Sequence, residues 1–555
     1  MGEPSFSGLS KSERVLGEFK PDSLYQTPVK PPKARKEYHE MKMFGDVREE
    51  EAYYGGLKAE AKDKKGDEIY NINISNAQTG IILETIEGVT SNFEWAGEAL
   101  VYIAMDKETC RPYEVYLHNL RTKQASDKCL YHEEDDKFLL YVQASEDKKF
   151  LFVTSASKTT SFNYYLDVSK PEDGLKAVTL REKGIDTSVS HRENYFFILR
   201  RTNELFNSEV VACPVACPLD KTAETIVLSH RKSVKIQAIQ LFENHLVVHE
   251  RENGLPKVTI YGLLGVGEQV QSLQGGFTVP FGDDPTYSAV PLVSEFNSSI
   301  LQICYSTLKT PPFVYEVDMK TDRVVRKESA TDCFDPSFEP SWLCLLVRGF
   351  ICAIAHVRGG GEMGRQWYEN GKFLKKENTF TDFIACAEYL IENKYCSKEK
   401  LSINGVSAGG LLICGVLNMR PDLFKAAVAQ VPFVDVLTTM LDPTIPITTL
   451  ELEEWGDPRE EVSYYNMKSY SPVDNVKAQN YPNTLVTTAY HDARVMCSEP
   501  AKFVAKLRDQ KTDENLQLLI CSFNGGHFLE RDAELDQKAL IYAFIMKSLN
   551  LIPNP

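Results

Sequence analysis

Five β-hairpin patterns recur along the first 320 residues at nearly even spacing. Val101-Tyr102-Ile103 is followed by Glu114-Val115-Tyr116-Leu117, and Leu151-Phe152-Val153 by Asn163-Tyr164-Tyr165-Leu166. Phe196 to Leu199 precedes Glu209 to Val211, Leu246 to Val248 precedes Val258 to Tyr261, and Leu301 to Ile303 precedes Phe313 to Val317. The hairpins start at 101, 151, 196, 246 and 301, which is 45 to 55 residues apart. That period belongs to propeller blades, small antiparallel sheets that bury their faces against one another. A β-sandwich with accidental spacing is the alternative. A further strand pattern from Glu68 to Ile74 belongs to another blade, giving an incomplete β-propeller of about five to six blades. From about residue 335 strands alternate with helices, the mark of a parallel sheet covered on both faces. Its strand candidates are Phe350 to His356, Lys400 to Val406, Lys425 to Val431, Asn483 to Tyr490 and Leu516 to Cys521. The organisation expected is a lead-in over 1–55, a propeller over 56–325 and an α/β domain over 326–555. The first 40 residues, rich in Pro, Lys, Glu and Ser, read as flexible.

Within the α/β half, Ile403-Asn404-Gly405-Val406-Ser407-Ala408-Gly409-Gly410 lies between an apolar strand pattern and an apolar helical one. This is Gly-x-Ser-x-Gly in the strand–turn–helix setting that lifts the Ser hydroxyl above a sheet. The N-terminus of the new helix turns its amides towards the same space, so the Ala408 N–H can face an oxyanion. A serine hydroxyl needs a base to take its proton and an acid to orient that base. Asp492 follows the strand ending near Tyr490, and His527 follows the strand ending near Cys521, beyond Asn524-Gly525-Gly526. The order Ser, Asp, His at successive strand ends is the order this fold type uses. A single Asp or His in a loop is more often merely solvated; three in this order are not. His491 competes as the base but shares a loop with Asp492 and ranks behind His527.

Composition narrows the partners. Of 555 residues 25% are charged, and the net charge of −16 argues against nucleic acid. Thirteen cysteines lack paired metal-type spacing, so no metal and no cofactor are expected. They fit reduced thiols in a cytoplasmic protein. No apolar run approaches the roughly 20 residues of a membrane span, and Met1-Gly2-Glu3-Pro4-Ser5-Phe6 opens neither a signal peptide nor a myristoylation site.

A β-propeller joined to an α/β-hydrolase resembles the prolyl oligopeptidase family of serine peptidases (family S9). Three segments carry the resemblance towards the oligopeptidase B and prolyl endopeptidase-like branch. They are Ala355-His356-Val357-Arg358-Gly359-Gly360-Gly361-Glu362-Met363-Gly364-Arg365-Gln366-Trp367-Tyr368, Pro432 to Asp442, and Glu453-Glu454-Trp455-Gly456-Asp457-Pro458, continued by Tyr470 to Val476. The resemblance implies cleavage of short peptides after Arg or Lys, with Ser407, Asp492 and His527 as the triad. It implies Glu451 and Glu453 as carboxylates for a basic P1 side chain, which fits the need of a guanidinium for a matched acid. Taken alone, these glutamates read as a solvated helix face. Asp332 and Asp335 fall where the family builds a second basic subsite, and Arg494 where an arginine anchors substrate backbone.

Against the family pattern the chain is short. Residues 44–54 resemble the N-terminal segment, a remnant that reaches propeller sequence by about residue 66. Only about fifteen residues separate Met319 from Asp335, where the family has several sheet strands and a tyrosine that supplies a second oxyanion donor. Losing one such donor costs on the order of 10²–10³ in turnover, and missing strands expose a sheet edge. Two other readings therefore stand beside an active peptidase: a truncated pseudo-enzyme acting as an interaction protein, and an esterase or thioesterase on the same fold.

Overall fold

A computed structural model describes residues 51–552, apart from 64–67, 107–108, 110, 264–272, 283, 285, 309, 328–338, 446–447 and 530. Each of the five recurrent hairpins forms the antiparallel centre of a sheet. Val101 pairs with Leu117, Val153 with Tyr164, Ile198 with Val211, Val247 with Ile260 and Ile303 with Tyr315. Strand alternation drives this, since the residues on each blade face bury against the next blade. Leu140 and Val153 join Val101 and Val115 in one apolar layer, and Leu301 and Ile303 join Val247 and Val258 in another. Tight turns set the registers. Glu252 faces Leu255 across Asn253 and Gly254, whose φ values of 53° and 82° are those a two-residue hairpin requires.

The strand expected near Glu68 spans Tyr70–Asn76 and has a full set of neighbours. Glu51–Tyr54, Leu57–Lys62, Tyr70–Asn76 and the long Ile82–Ala96 pair in sequence. Ile82–Ala96 then continues into the next unit, pairing with Ala99–Met105 after a register shift between Val89 and Phe93. One bent strand thus serves two four-stranded units, and six units stand in sequence among the described residues.

Among the described residues the α/β domain holds four parallel strands in chain order: β1 (Ser402–Val406), β2 (Ala426–Gln430), β3 (Asn483–Ala489) and β4 (Gln517–Ser522). Period-two alternation buries both faces. Ala427, Ala429 and Val486 pack with α1 (Glu377–Glu392), α2 (Ala408–Met419) and α4 (Ser498–Gln510). Ala426, Val428 and Leu485 pack with Ile541, Phe544 and Ile545 of α5 (Arg531–Ser548). Helix α3 (Thr448–Trp455) lies outside the sheet, between β2 and β3 in sequence.

One expected strand is corrected. Phe350 to His356 forms no ladder with any described residue, and Ile351 and Ile354 are 64% and 48% exposed. An apolar run becomes a strand only when a neighbour accepts its backbone bonds, and no described residue does so. Among the described residues strand β1 is accordingly an edge, as expected from the short connection before it. A cavity of about 480 Å³ spans the sheet from β1 to the loop after β4, lined by Asn404, Val406, Gln430, Thr487 and His527, with Ile354 of the 350–356 run.

The α1–α2 contact is close enough to test. A Cβ on Gly415 would fall 2.5 Å from the Phe380 ring. Gly415→Ala should destabilise the α/β domain by about 1–3 kcal/mol, read as a lowered thermal midpoint by circular dichroism; an unchanged midpoint would show that the helices yield.

Candidate active site

Ser407 sits between β1 and α2 with φ 55° and ψ −115°, a backbone state that a residue bearing a Cβ rarely adopts. The surrounding chain holds it there. Its N–H donates to the Gln430 carbonyl at 2.9 Å, and its own carbonyl accepts from Leu411 N at 3.1 Å and Phe433 N at 3.3 Å. Glycine is needed at Gly405, where a Cβ would lie 2.3 Å from the Gly409 carbonyl oxygen, and at Gly410, where it would lie 2.5 Å from Pro432. At Gly409 a Cβ would meet nothing within 4 Å. The steric demand therefore falls one residue beyond the motif's second glycine. Ala408 opens α2, so its N–H has no acceptor within the helix.

The two other members of the predicted triad meet. Strands β3 and β4 are in register with Ala489 opposite Ser522, and the pairing continues into the loops through Tyr490 N to Ser522 O at 2.8 Å and His491 N to Gly525 O at 3.2 Å. This brings His527 Nδ1 to 2.8 Å from Asp492 Oδ2. The other carboxylate oxygen accepts from Arg494 N at 2.9 Å and Val495 N at 2.8 Å. Asp492 is 3% exposed, so these partners replace its lost water. With Asp492 accepting at Nδ1, the imidazole carries its proton there and leaves Nε2 as the basic nitrogen. Among the described residues no hydrogen bond joins Ser407 Oγ to that ring. His491 is exposed, and its ring lies edge-on to Tyr490.

The acidic helix face is not merely solvated. Glu451 accepts from Trp455 Nε1 at 2.8 Å and pairs with Lys158 Nζ at 2.8 Å. Glu453 accepts from Ser157 Oγ at 2.8 Å and Thr159 Oγ1 at 2.9 Å. Glu454 accepts from the Tyr368 hydroxyl. Buried Lys376 lies 4.6 Å from the centre of the Trp455 ring, and burial pulls its ammonium below the ordinary lysine range against the pull of Glu454 and Glu451. A short contact path links this group to the nucleophile: Trp455 packs on Phe433 at 5.4 Å, and Phe433 N bonds Ser407 O. Arg494 makes a bidentate pair with Glu68 of the propeller, at 2.8 and 2.7 Å, with its guanidinium 5.1 Å from the centre of the Phe528 ring. Asp332 and Asp335 lie outside the described residues.

Residues 336–551 match the prolyl oligopeptidase family, and residues 55–329 match the N-terminal β-propeller domain of prolyl oligopeptidase. The chain is 36% identical over 551 residues to Protease 2 of Moraxella lacunata, covering 88% of this chain and 77% of that protein. It is 31% identical to Dipeptidyl aminopeptidase BI of Pseudoxanthomonas mexicana, covering 89% and 75%. It superposes on oligopeptidase B of Leishmania major with TM-score 0.85 at 33% identity, covering 90% and 78%. The chain belongs to the prolyl oligopeptidase family. It is a serine endopeptidase of oligopeptidase B-like type, built from that family's propeller and its α/β-hydrolase domain.

Several residues around the site were not foreseen: Glu68, Ser157, Lys158, Thr159 and Glu499. The first four come from the propeller and approach by tertiary folding alone. Glu499 begins α4 as a buried acid, accepting from Val434 N at 3.0 Å, Asp435 N at 2.9 Å and the Thr439 hydroxyl. It thereby fixes the loop that follows Phe433. Burial pushes its carboxyl up to about 7, against those hydrogen bonds. In the unfolded chain a glutamate loses its proton near 4.3. Between these values the folded state holds a proton the unfolded state has lost, so stability falls as pH rises from about 4.5 to 7. Replacing Glu499 by Gln removes this contribution. Urea unfolding of both proteins at pH 5 and pH 7 should show wild type losing of order 2–3 kcal/mol more than Glu499→Gln over that interval. Parallel losses would overturn it.

Proposed function

We propose that this peptidase hydrolyses short peptides on the carboxyl side of Arg or Lys through an acyl-enzyme. The 2.8 Å contact between His527 Nδ1 and a doubly anchored Asp492 carries the reading. Ser407 Oγ attacks the scissile carbonyl while His527 Nε2 takes its proton. Asp492 keeps the ring in the tautomer this requires and stabilises the imidazolium. The tetrahedral oxyanion accepts from Ala408 N–H. His527 then gives its proton to the leaving amine, and water enters by the same route in reverse to release the acid. The separation of Ser407 from the ring closes on substrate binding, since catalytic hydrogen bonds often tighten only in the complex.

Glu451 and Glu453 receive the P1 cation. The contact of Glu451 with Trp455, and through Phe433 with Ser407, supports this. Arg494 anchors substrate backbone once released from Glu68. The propeller restricts the substrate to short peptides.

A fluorophosphonate probe should label wild type but not Ser407→Ala; equal labelling would remove Ser407 from the reaction. Asp492→Asn, which favours the wrong tautomer, should lower kcat on the order of 10⁴-fold. Glu451→Gln should lower kcat/KM for an Arg-amide at least tenfold, the scale of a lost charge-assisted hydrogen bond, and leave a simple ester untouched. An equal fall on both substrates would favour an esterase-type site instead.

A further inference from the structure

One turn of the propeller covers both proposed P1 carboxylates. It joins strand Phe150–Ala156 to strand Ser161–Asp167, and it is built before it reaches the hydrolase. Ser157 N donates to Thr160 O at 2.8 Å, and Ser157 Oγ accepts from Thr160 N at 3.2 Å. From this fixed turn Ser157 and Thr159 bond Glu453, and Lys158 between them reaches Glu451 at 2.8 Å. The second Glu451 oxygen is already taken by Trp455. The oxygen that would face a substrate cation is therefore the one that Lys158 holds.

We propose that Lys158 is a specificity-determining residue, its ammonium occupying in the free enzyme the carboxylate site that a substrate's basic side chain must take over. The inference rests on the reading of Glu451 as a P1 acid. Lys158 can be displaced, because its side chain is 34% exposed and its head can move into water. Burial works against its charge, and the Glu451 carboxylate outweighs that, leaving it above the ordinary lysine range. The turn holds the ammonium at a high effective concentration, so an arriving cation competes with a resident one and its apparent affinity falls by the fraction of sites left open. A neutral P1 side chain gains no carboxylate and leaves Lys158 in place, so Glu451 is never stranded without a counter-charge. Lys158 thus weakens binding of basic substrates and makes neutral ones tolerable, compressing the enzyme's discrimination.

The test compares an Arg-amide with its norleucine analogue on wild type, Lys158→Met, Lys158→Arg and Glu451→Gln. Lys158→Met should lower KM for the Arg-amide about two- to fivefold, the range for a part-exposed ion pair, with kcat unchanged. Its ratio of kcat/KM between Arg and norleucine substrates should rise by at least as much. Lys158→Arg, which keeps a cation there, should behave as wild type. A merely structural ion pair would instead change both substrates alike and lower the thermal midpoint. That result, or an unchanged Arg-amide KM in Lys158→Met, overturns the proposal. If wild type does not prefer Arg, or Glu451→Gln retains that preference, the P1 assignment fails and this inference with it. If the preference depends on Glu451 and Lys158→Met does not alter it, only the role of Lys158 fails.

Discussion

A carboxylate withdrawn from water has to be given back what water supplied, and Asp492 is the point at which the fold does so. Two backbone N–H groups from the loop after β3 hold one oxygen, and an imidazole from the loop after β4 holds the other. Loops from two strands meet this closely only if those strands are neighbours, parallel and in one register. The pairing of Ala489 with Ser522 meets that condition. Apolar burial on both faces of the sheet fixes the register, because a one-residue slip would turn Val486 and Leu485 to the wrong layers. The hydrophobic alternation of β3 is thus coupled to the placement of a carboxylate three residues beyond its end.

The nucleophile depends on the opposite kind of constraint. Ser407 occupies a strained backbone state that its neighbours impose through close glycine contacts and a hydrogen bond to β2. Strain of this kind persists only where packing over-determines it. Among the described residues β1 has a ladder partner on one side only. The elbow therefore leans on β2 and α2, while β3 and β4 position the base and the acid. The propeller adds a third set of contacts. Glu68 binds the arginine two residues after Asp492, and the turn at 157–159 binds the acidic helix beside Trp455. These charged contacts at the domain boundary are partly solvated, which suits an interface that substrate must enter.

Much of this was legible in the residues. The five hairpins are readable because each blade is a local unit with its own alternation and turn. The order of Ser407, Asp492 and His527 is readable because a parallel sheet puts functional loops at strand ends. The strand proposed at Phe350 to His356 failed because an apolar run alone does not make a strand, which also needs a ladder partner, and no described residue supplies one. The partners of Glu451 and Glu453 could not be read, since Ser157 and Glu453 stand 296 residues apart and nothing local marks a polar hairpin turn as a cap. The need for glycine at Gly410 could not be read locally either, because it comes from Pro432 on another loop.

The most direct measurement is a crystal structure of the enzyme carrying a phosphonate at its active serine. The account predicts phosphorus bonded to Ser407 Oγ, a phosphonyl oxygen about 3 Å from Ala408 N, and His527 Nε2 within about 3 Å of the adduct with its contact to Asp492 intact. An adduct on another residue, or a His527 ring still remote from a modified Ser407, would contradict it.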